Sequence, residues 1–311
     1  MIFLFLVVFF LYIHVQNQYK TSEKLEIYEM DYLSKNGLQE ICDLKQPVLF
    51  QLEFSDSLPY LDSYSILDSR EFKTSSVDSI FLQSESAMGL LDTDTNGVFF
   101  SERNSDMISR STPHMKTFQE IDTYLQPNYT VVTKYDLLMG ARKSHTPFRY
   151  HCETQRFLVV SEERIRVQMT PWKSRHFLNP VIDLAHYDYW SPLSFWDVPN
   201  DNVPCLDFIV LPGFVLYIPP YWWYSIQFID TTSKVKCITY STPINLLANL
   251  KTHTICFIQP FLGEQKKEKK ERKEKKVNFL LEKENTEIVQ EKQDEIESIV
   301  QETLAQLKKE E

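Results

Sequence analysis

Asp92, Asp94 and Asn96 alternate with threonines ahead of Gly97, and oxygen-bearing side chains at that spacing form the front half of a calcium-binding loop. A complete loop closes on a bidentate glutamate at its twelfth position, where this chain carries Arg103, with Glu102 one residue short. The run therefore reads as an Asn-Gly turn leading into a strand at 98–100. Nucleophilic hydrolysis has no frame, because no GxSxG elbow occurs and the serines and histidines alone select no triad. Nothing singles out a catalytic pair among the 43 carboxylates. Cys42, Cys152, Cys205, Cys237 and Cys256 are scattered without a CxxC, which argues for buried thiols rather than a zinc module or disulfide framework. A net charge of -10 and a pI near 5.3 would repel a polyphosphate, so no nucleic-acid partner is expected.

Positioning such side chains requires a scaffold, and the chain has ample core material at 43% hydrophobic and 14% aromatic residues. Six glycines beside 15 prolines argue against a Gly-rich nucleotide fold. Runs at 130–135, 156–160, 164–169, 207–211, 214–218, 225–229 and 234–240 are rich in β-branched and aromatic residues and bounded by Pro, Gly, Asp or Ser. Their close spacing predicts antiparallel strands in a sandwich or barrel, with helices near 31–43 and 115–124. The Pro-rich segment YWSPLSFWDVP, holding Trp190 and Trp196, reads as a long loop suited to a partner contact.

The ends differ from the middle. Residues 1–19 open with MIFLFLVVFFLYIHV, free of charge, and read as a single-pass transmembrane anchor; a cleaved signal peptide lacks its basic region and cleavage site here. Lys20 and Lys24 favour a cytoplasmic body, while the sequon Asn128-Tyr129-Thr130 would need a lumenal one, so the side of the membrane stays open. Residues 20–262 form the expected globular domain and 263–276 a charged linker. Residues 277–311 return apolar positions at helical spacing, as in an amphipathic helix or short coiled coil for self-association or a protein partner.

The most specific stretch is LPGFVLYIPPYWWYSI at 211–226. It resembles the signature of the cupin-like, JmjC-type 2-oxoglutarate oxygenases, in which a strand leads through a Trp-rich turn to a metal-binding histidine. The likeness is greatest to the hypoxia-response asparaginyl hydroxylases, and similar cupin-like proteins occur in large DNA viruses. A second match runs over 146–171, from Thr146 through RYH at 149–151 to Pro171. The resemblance implies a mainly β, double-stranded β-helix (jelly-roll) with a few flanking helices.

It also implies where chemistry would sit. Family members hold Fe(II) with two imidazoles and a carboxylate, beside sites for 2-oxoglutarate and O₂. Matched without gaps, the three ligand positions become Arg149, His151 and Tyr224, with 149 and 151 on one strand face. Arginine offers donors only and cannot ligate a cation, so the triad is degenerate and no cofactor is expected. Thr146, Gln155 and Arg164 fall where relatives grip 2-oxoglutarate, and could form an anion pocket. The expected function is a membrane-anchored, non-catalytic binding or assembly module. The alternative is an active Fe(II)/2-oxoglutarate hydroxylase or demethylase using His151 and Glu153, with a third ligand such as His145, His176 or His186. Tyr221, Trp222 and Trp223 are expected to pack at the barrel mouth.

Overall fold

The computed structural model describes residues 2–32, 34–52, 61–69, 79–183, 188–196, 203–230 and 233–255. The linker expected at 263–276, the helix expected at 277–311, His186 and Cys256 lie outside the described residues. The N-terminal part comprises α1 (Ile2–Gln18), β1 (Tyr28–Asp31), α2 (Lys35–Cys42), β2 (Val48–Gln51), β3 (Ser63–Asp68), β4 (Ile80–Gln83), α3 (Ser84–Thr93), β5 (Phe99–Ser101), α4 (Ser105–Arg110) and α5 (Thr112–Leu125). Then come β6 (Val132–Gly140), β7 (Phe148–Tyr150), β8 (Gln155–Val160) and β9 (Ile165–Thr170). A 3-10 turn, Trp172–Phe177, leads to β10 (Val181–Asp183) and β11 (Asp188–Ser191). The last elements are β12 (Leu206–Val210), β13 (Phe214–Ile218), β14 (Trp223–Phe228), β15 (Ser233–Ser241) and α6 (Pro243–Ala248).

The strand order defines the architecture. One sheet runs β1-β2-β13-β8-β15-β6-β5-β3-β4 and the other β10-β11-β7-β14-β9-β12. Within them, β6, β8, β13 and β15 form one antiparallel block and β7, β9, β12 and β14 the facing one. The chain thus crosses between sheets as it winds, which is a double-stranded β-helix, or jelly roll. The seven strand runs read between 130 and 240 correspond to strands of these two blocks, with ends moved by a few residues, and the strand read at 98–100 is β5. The two expected helices are α2 and α5.

Alternation of side chains explains the layering. In β9, Ile165, Val167 and Met169 are fully buried, as are Ile226 and Phe228 of β14 and Leu158 and Val160 of β8, and they meet between the sheets. The outer face of the larger sheet offers Phe50, Phe157, Tyr217 and Tyr240, which α2, α3, α4 and α5 cover with Leu38, Leu91, Ile108, Phe118 and Leu125. Each such side chain contributes about 1.5–3 kcal/mol on burial. Helix ends are satisfied locally: Ser34 caps α2 by accepting from the Gly37 N–H, and Thr242 caps α6 by accepting from that of Asn245. Gly140 ends β6 where a Cβ would lie 2.0 Å from the Phe228 ring, so no larger residue fits.

Several expectations change. Helix α1 is 17 residues long and apolar on every side, with Phe3 through Ile13 largely exposed. At about 1.5 Å per residue it extends about 25 Å, short of a ~30 Å hydrocarbon core. Among the described residues no helix is long and apolar enough to cross a membrane, so the transmembrane reading of 1–19 finds no support there. Its C-terminal end is tied to the globular body, where the Tyr19 hydroxyl donates to the Ala248 carbonyl and Lys45 to that of Asn17. Asp94 spends its carboxylate on the N–H groups of Asn96, Val98 and Phe99 at 3.1, 2.6 and 2.7 Å, making the turn before β5 rather than a calcium loop. Trp190 belongs to a strand, not to a loop: it is 5% exposed in β11 and faces Arg149 of β7 across the sheet. Tyr221, Trp222 and Trp223 are buried as expected.

Candidate functional site

Arg149 sits mid-strand in the short β7, flanked by Trp190 of β11 on one side and Tyr224 of β14 on the other. Its neighbours Phe148 and Tyr150 point the opposite way, into an outer aromatic cluster with Tyr189, Phe195 and Trp223. Arg149 therefore turns inward, and it and Tyr224 line one cavity of about 390 Å³. Arg149 Nη1 lies 2.7 Å from Glu102 Oε2, and both side chains are almost completely buried.

Glu102 follows β5, and its loop is held by a second carboxylate. Asp136, on β6, accepts from the backbone N–H groups of Arg103, Asn104 and Leu137 at 2.9, 2.8 and 2.9 Å. Asn104 adds bonds to Ser101 and to the Leu137 carbonyl. Arg103 adopts a left-handed φ of 66°, which costs about 1–3 kcal/mol outside glycine and is offset by this network. Burial outweighs the three N–H donors and pushes the Asp136 carboxyl up to about 6.

A second charge cluster borders the first. Arg156, from β8, donates through Nη1 to the Tyr224 hydroxyl at 2.7 Å and through Nε to Thr239 at 3.1 Å. Its Nη2 lies 3.8 Å from Glu153, which also meets Lys134 at 3.4 Å. Burial alone would raise Glu153, but Arg156 and Lys134 prevail and hold it down at about 2. Tyr224 is pushed up to about 12 by burial against the pull of Arg156 and Arg149, so it is a neutral phenol.

The residues singled out by sequence are only partly brought together. Arg149, Glu153 and Tyr224 line the cavity. His151 does not, and it lies one residue beyond the end of β7 at Tyr150. His151 Nε2 lies 2.9 Å from the Ile218 carbonyl, which can only accept, so that nitrogen carries the proton. Burial, then Arg156, lowers the imidazole to about 3, so it is neutral and its 3.7 Å approach to Glu153 is not a charge pair.

None of the three residues expected to form an anion pocket lines this cavity. Thr146 accepts from the Ile226 N–H at 3.0 Å and fastens β14. Gln155 donates to Gln39 at 2.7 Å, on the helical side of the large sheet. Arg164 precedes β9 on its outward-facing register, half-exposed and paired with Asp230 at 3.1 Å. Sequence reasoning missed Glu102, Lys134, Asp136 and Arg156. Only Arg156 carried a signal, a cation opening an otherwise apolar strand run.

The donor set does not suit iron. Of the positions the resemblance matched to metal ligands, 149 is a guanidinium and the His151 imidazole is engaged by the Ile218 carbonyl. Among the described residues no group of three His, Cys, Asp or Glu side chains could hold a metal ion. His145 lies beside Ser194 and Trp196, His176 lies in the 3-10 turn, and neither lines the cavity.

No family model and no curated protein matches the chain. Among solved structures, similar ones include the ribosomal oxygenase YcfD of Escherichia coli with cobalt and succinic acid, at 12% identity and a TM-score of 0.39. The same protein with cobalt and 2-oxoglutarate gives 14% identity and a TM-score of 0.40. Each match covers 64% of this chain and 49% of the other, so the chain spans about half the length of those structures. At these scores the likeness carries no argument about chemistry, and the jelly-roll assignment rests on strand order.

Proposed function

We propose that this chain is a cupin-like, JmjC-like domain that binds a small polar ligand between its sheets without iron chemistry. The observation that supports this most directly is the buried Arg149–Glu102 contact at 2.7 Å, lying where the family resemblance implies a metal ligand. A guanidinium there would repel a divalent cation and offers it no lone pair. Tyr224, matched by the resemblance to the distal ligand position, is a neutral phenol engaged by Arg156.

The second reading, a 2-oxoglutarate oxygenase with His151 and Glu153 as ligands, draws on their 3.7 Å approach. YcfD, with its cobalt and 2-oxoglutarate, is the type of protein this reading would make it resemble. Against it, Glu153 is held by Arg156 and Lys134, and no third ligand joins the pair among the described residues.

The test is anaerobic loading of the full chain with Fe(II), Mn(II) or Zn(II), followed by desalting, elemental analysis and an assay of succinate release from 2-oxoglutarate. The proposal expects far less than one equivalent of metal and no succinate above a protein-free control. Stoichiometric iron with coupled succinate release establishes the second reading instead.

A further inference from the structure

The chemistry of the cavity narrows the ligand. At about 390 Å³ it stands at the small end of ligand pockets, which run ~300–1,000 Å³, so it suits a metabolite-sized occupant. Its described lining sets Arg103, Lys134, Arg149 and Arg156 against Glu102, Asp106, Asp136 and Glu153. Four basic groups thus face four acidic ones, and most are already paired. A dicarboxylate would bring two uncompensated charges into this lining, and an amine would bring one. A net-neutral molecule with both signs brings none.

Two groups say how such a molecule would lie. Glu102 is 1% exposed and lines the cavity, yet neither carboxylate oxygen accepts an aligned hydrogen bond. Its short approach to Arg149 is a charge contact without that alignment. A buried carboxylate in this state calls for a donor, and the cavity is where one can enter. The Tyr224 hydroxyl has the opposite need: it accepts from Arg156 at 2.7 Å, which leaves its own proton to donate. Acceptor and donor therefore face one space.

We propose that the cavity binds a small zwitterion of the α-amino-acid type, with its ammonium group donating to Glu102 and its carboxylate held by Tyr224 and Arg156. Asp136 acts as a positioning residue by fixing the loop that carries Glu102. This inference rests on the reading that no iron occupies the site.

Calorimetric titration of the full chain tests it, using each of the twenty L-amino acids singly, with succinate, 2-oxoglutarate and n-butylamine as single-sign controls. The expected result is saturable binding of one or more amino acids, none of the controls, and at least a ~10-fold loss of affinity in Glu102→Gln and in Tyr224→Phe. Thermal melts of both variants establish folding; should Glu102→Gln fail to fold, Tyr224→Phe carries the test. Preferential binding of a control, no binding by any amino acid, or full affinity in the folded variants overturns the inference. Metal analysis of the same sample separates the failures. Iron-free protein that binds no amino acid sinks only the zwitterion, whereas stoichiometric iron sinks the reading beneath it.

Discussion

Breaking the Arg149–Glu102 pair should cost far more than removing it whole. With charge centres about 4 Å apart and an effective dielectric near 20, the attraction is about 4 kcal/mol. The 2.7 Å contact and near-complete burial of both side chains place it in this regime rather than among screened surface pairs. Arg149→Met removes the cation 2.7 Å from the Glu102 carboxylate, and Glu102→Gln removes the anion beside the Arg149 guanidinium, each at about 3–5 kcal/mol. The double variant leaves neither charge, so its loss should fall short of the sum by at least ~2 kcal/mol. Urea unfolding of the four proteins reads this coupling directly, provided the denaturant slope is shared. Independent residues add to within ~0.5 kcal/mol, so a coupling that small would refute the reasoning: the two charges would then be solvated separately, and the cavity would not be organised around their contact.

Acidification should unfold the chain partly through His151. Its folded value near 3 lies below the ordinary 6.5, so the unfolded state takes the proton first and stability falls as pH drops across that window. At about pH 5 this is about 2 kcal/mol, from ~1.4 kcal/mol per pH unit. Glu153, held near 2 against 4.5, acts with the same sign lower down, its stabilisation being lost as pH falls through that range. Asp136, raised from 3.8 to about 6, has the contrary sign between those values, so the readout is the difference between wild type and His151→Gln. Equal slopes for the two proteins between about pH 6.5 and 5 would remove His151 from the account. Arg164→Ala, in turn, should change stability by at most ~1 kcal/mol, because the Asp230 pair is exposed. It should leave amino-acid titrations unchanged; a lost affinity there would return the binding site to the outer strand face.

The jelly roll was legible because its strands obey short-range rules. The runs at 156–160 and 214–218 carry apolar residues bounded by turn formers, and β8 and β13 lie there. Glycine and proline around 211–220 mark the turns that bring β14 back across β7. Among the N-terminal strands β5 was legible at 98–100, whereas β1 and β4 were not, since they are short and mixed and pairing decides them more than composition does. Arg149 and Tyr224 were located through the resemblance because backbone register brings them opposite each other whatever the side chains are. His151 and Arg164 fall outside the cavity and beyond the ends of their strands, where counting residues along a strand gives no placement. Strand β7 stops at Tyr150, and β9 begins one residue after Arg164, on the outward register. Glu102 was invisible because its partner is 47 residues away and no spacing rule links a loop carboxylate to a strand guanidinium.

The charge arrangement explains how such a fold balances the charges at its centre. A divalent ion would supply two positive charges at the meeting of β7 and β14, and carboxylates nearby would need them. Here Arg149 and Arg156 supply two positive charges from β7 and β8, matched by Glu102 and Glu153. The matching is distributed over two pairs instead of one ion, and Tyr224 lies between them, bonded to one guanidinium and opposite the other. A metal can leave and be replaced, whereas these charges are covalently fixed. On the proposed reading the centre is preorganised without loading, and among the described residues Glu102 and Tyr224 offer an acceptor and a donor for a ligand to satisfy. The proposed zwitterion could then enter without any group of the site changing its charge state.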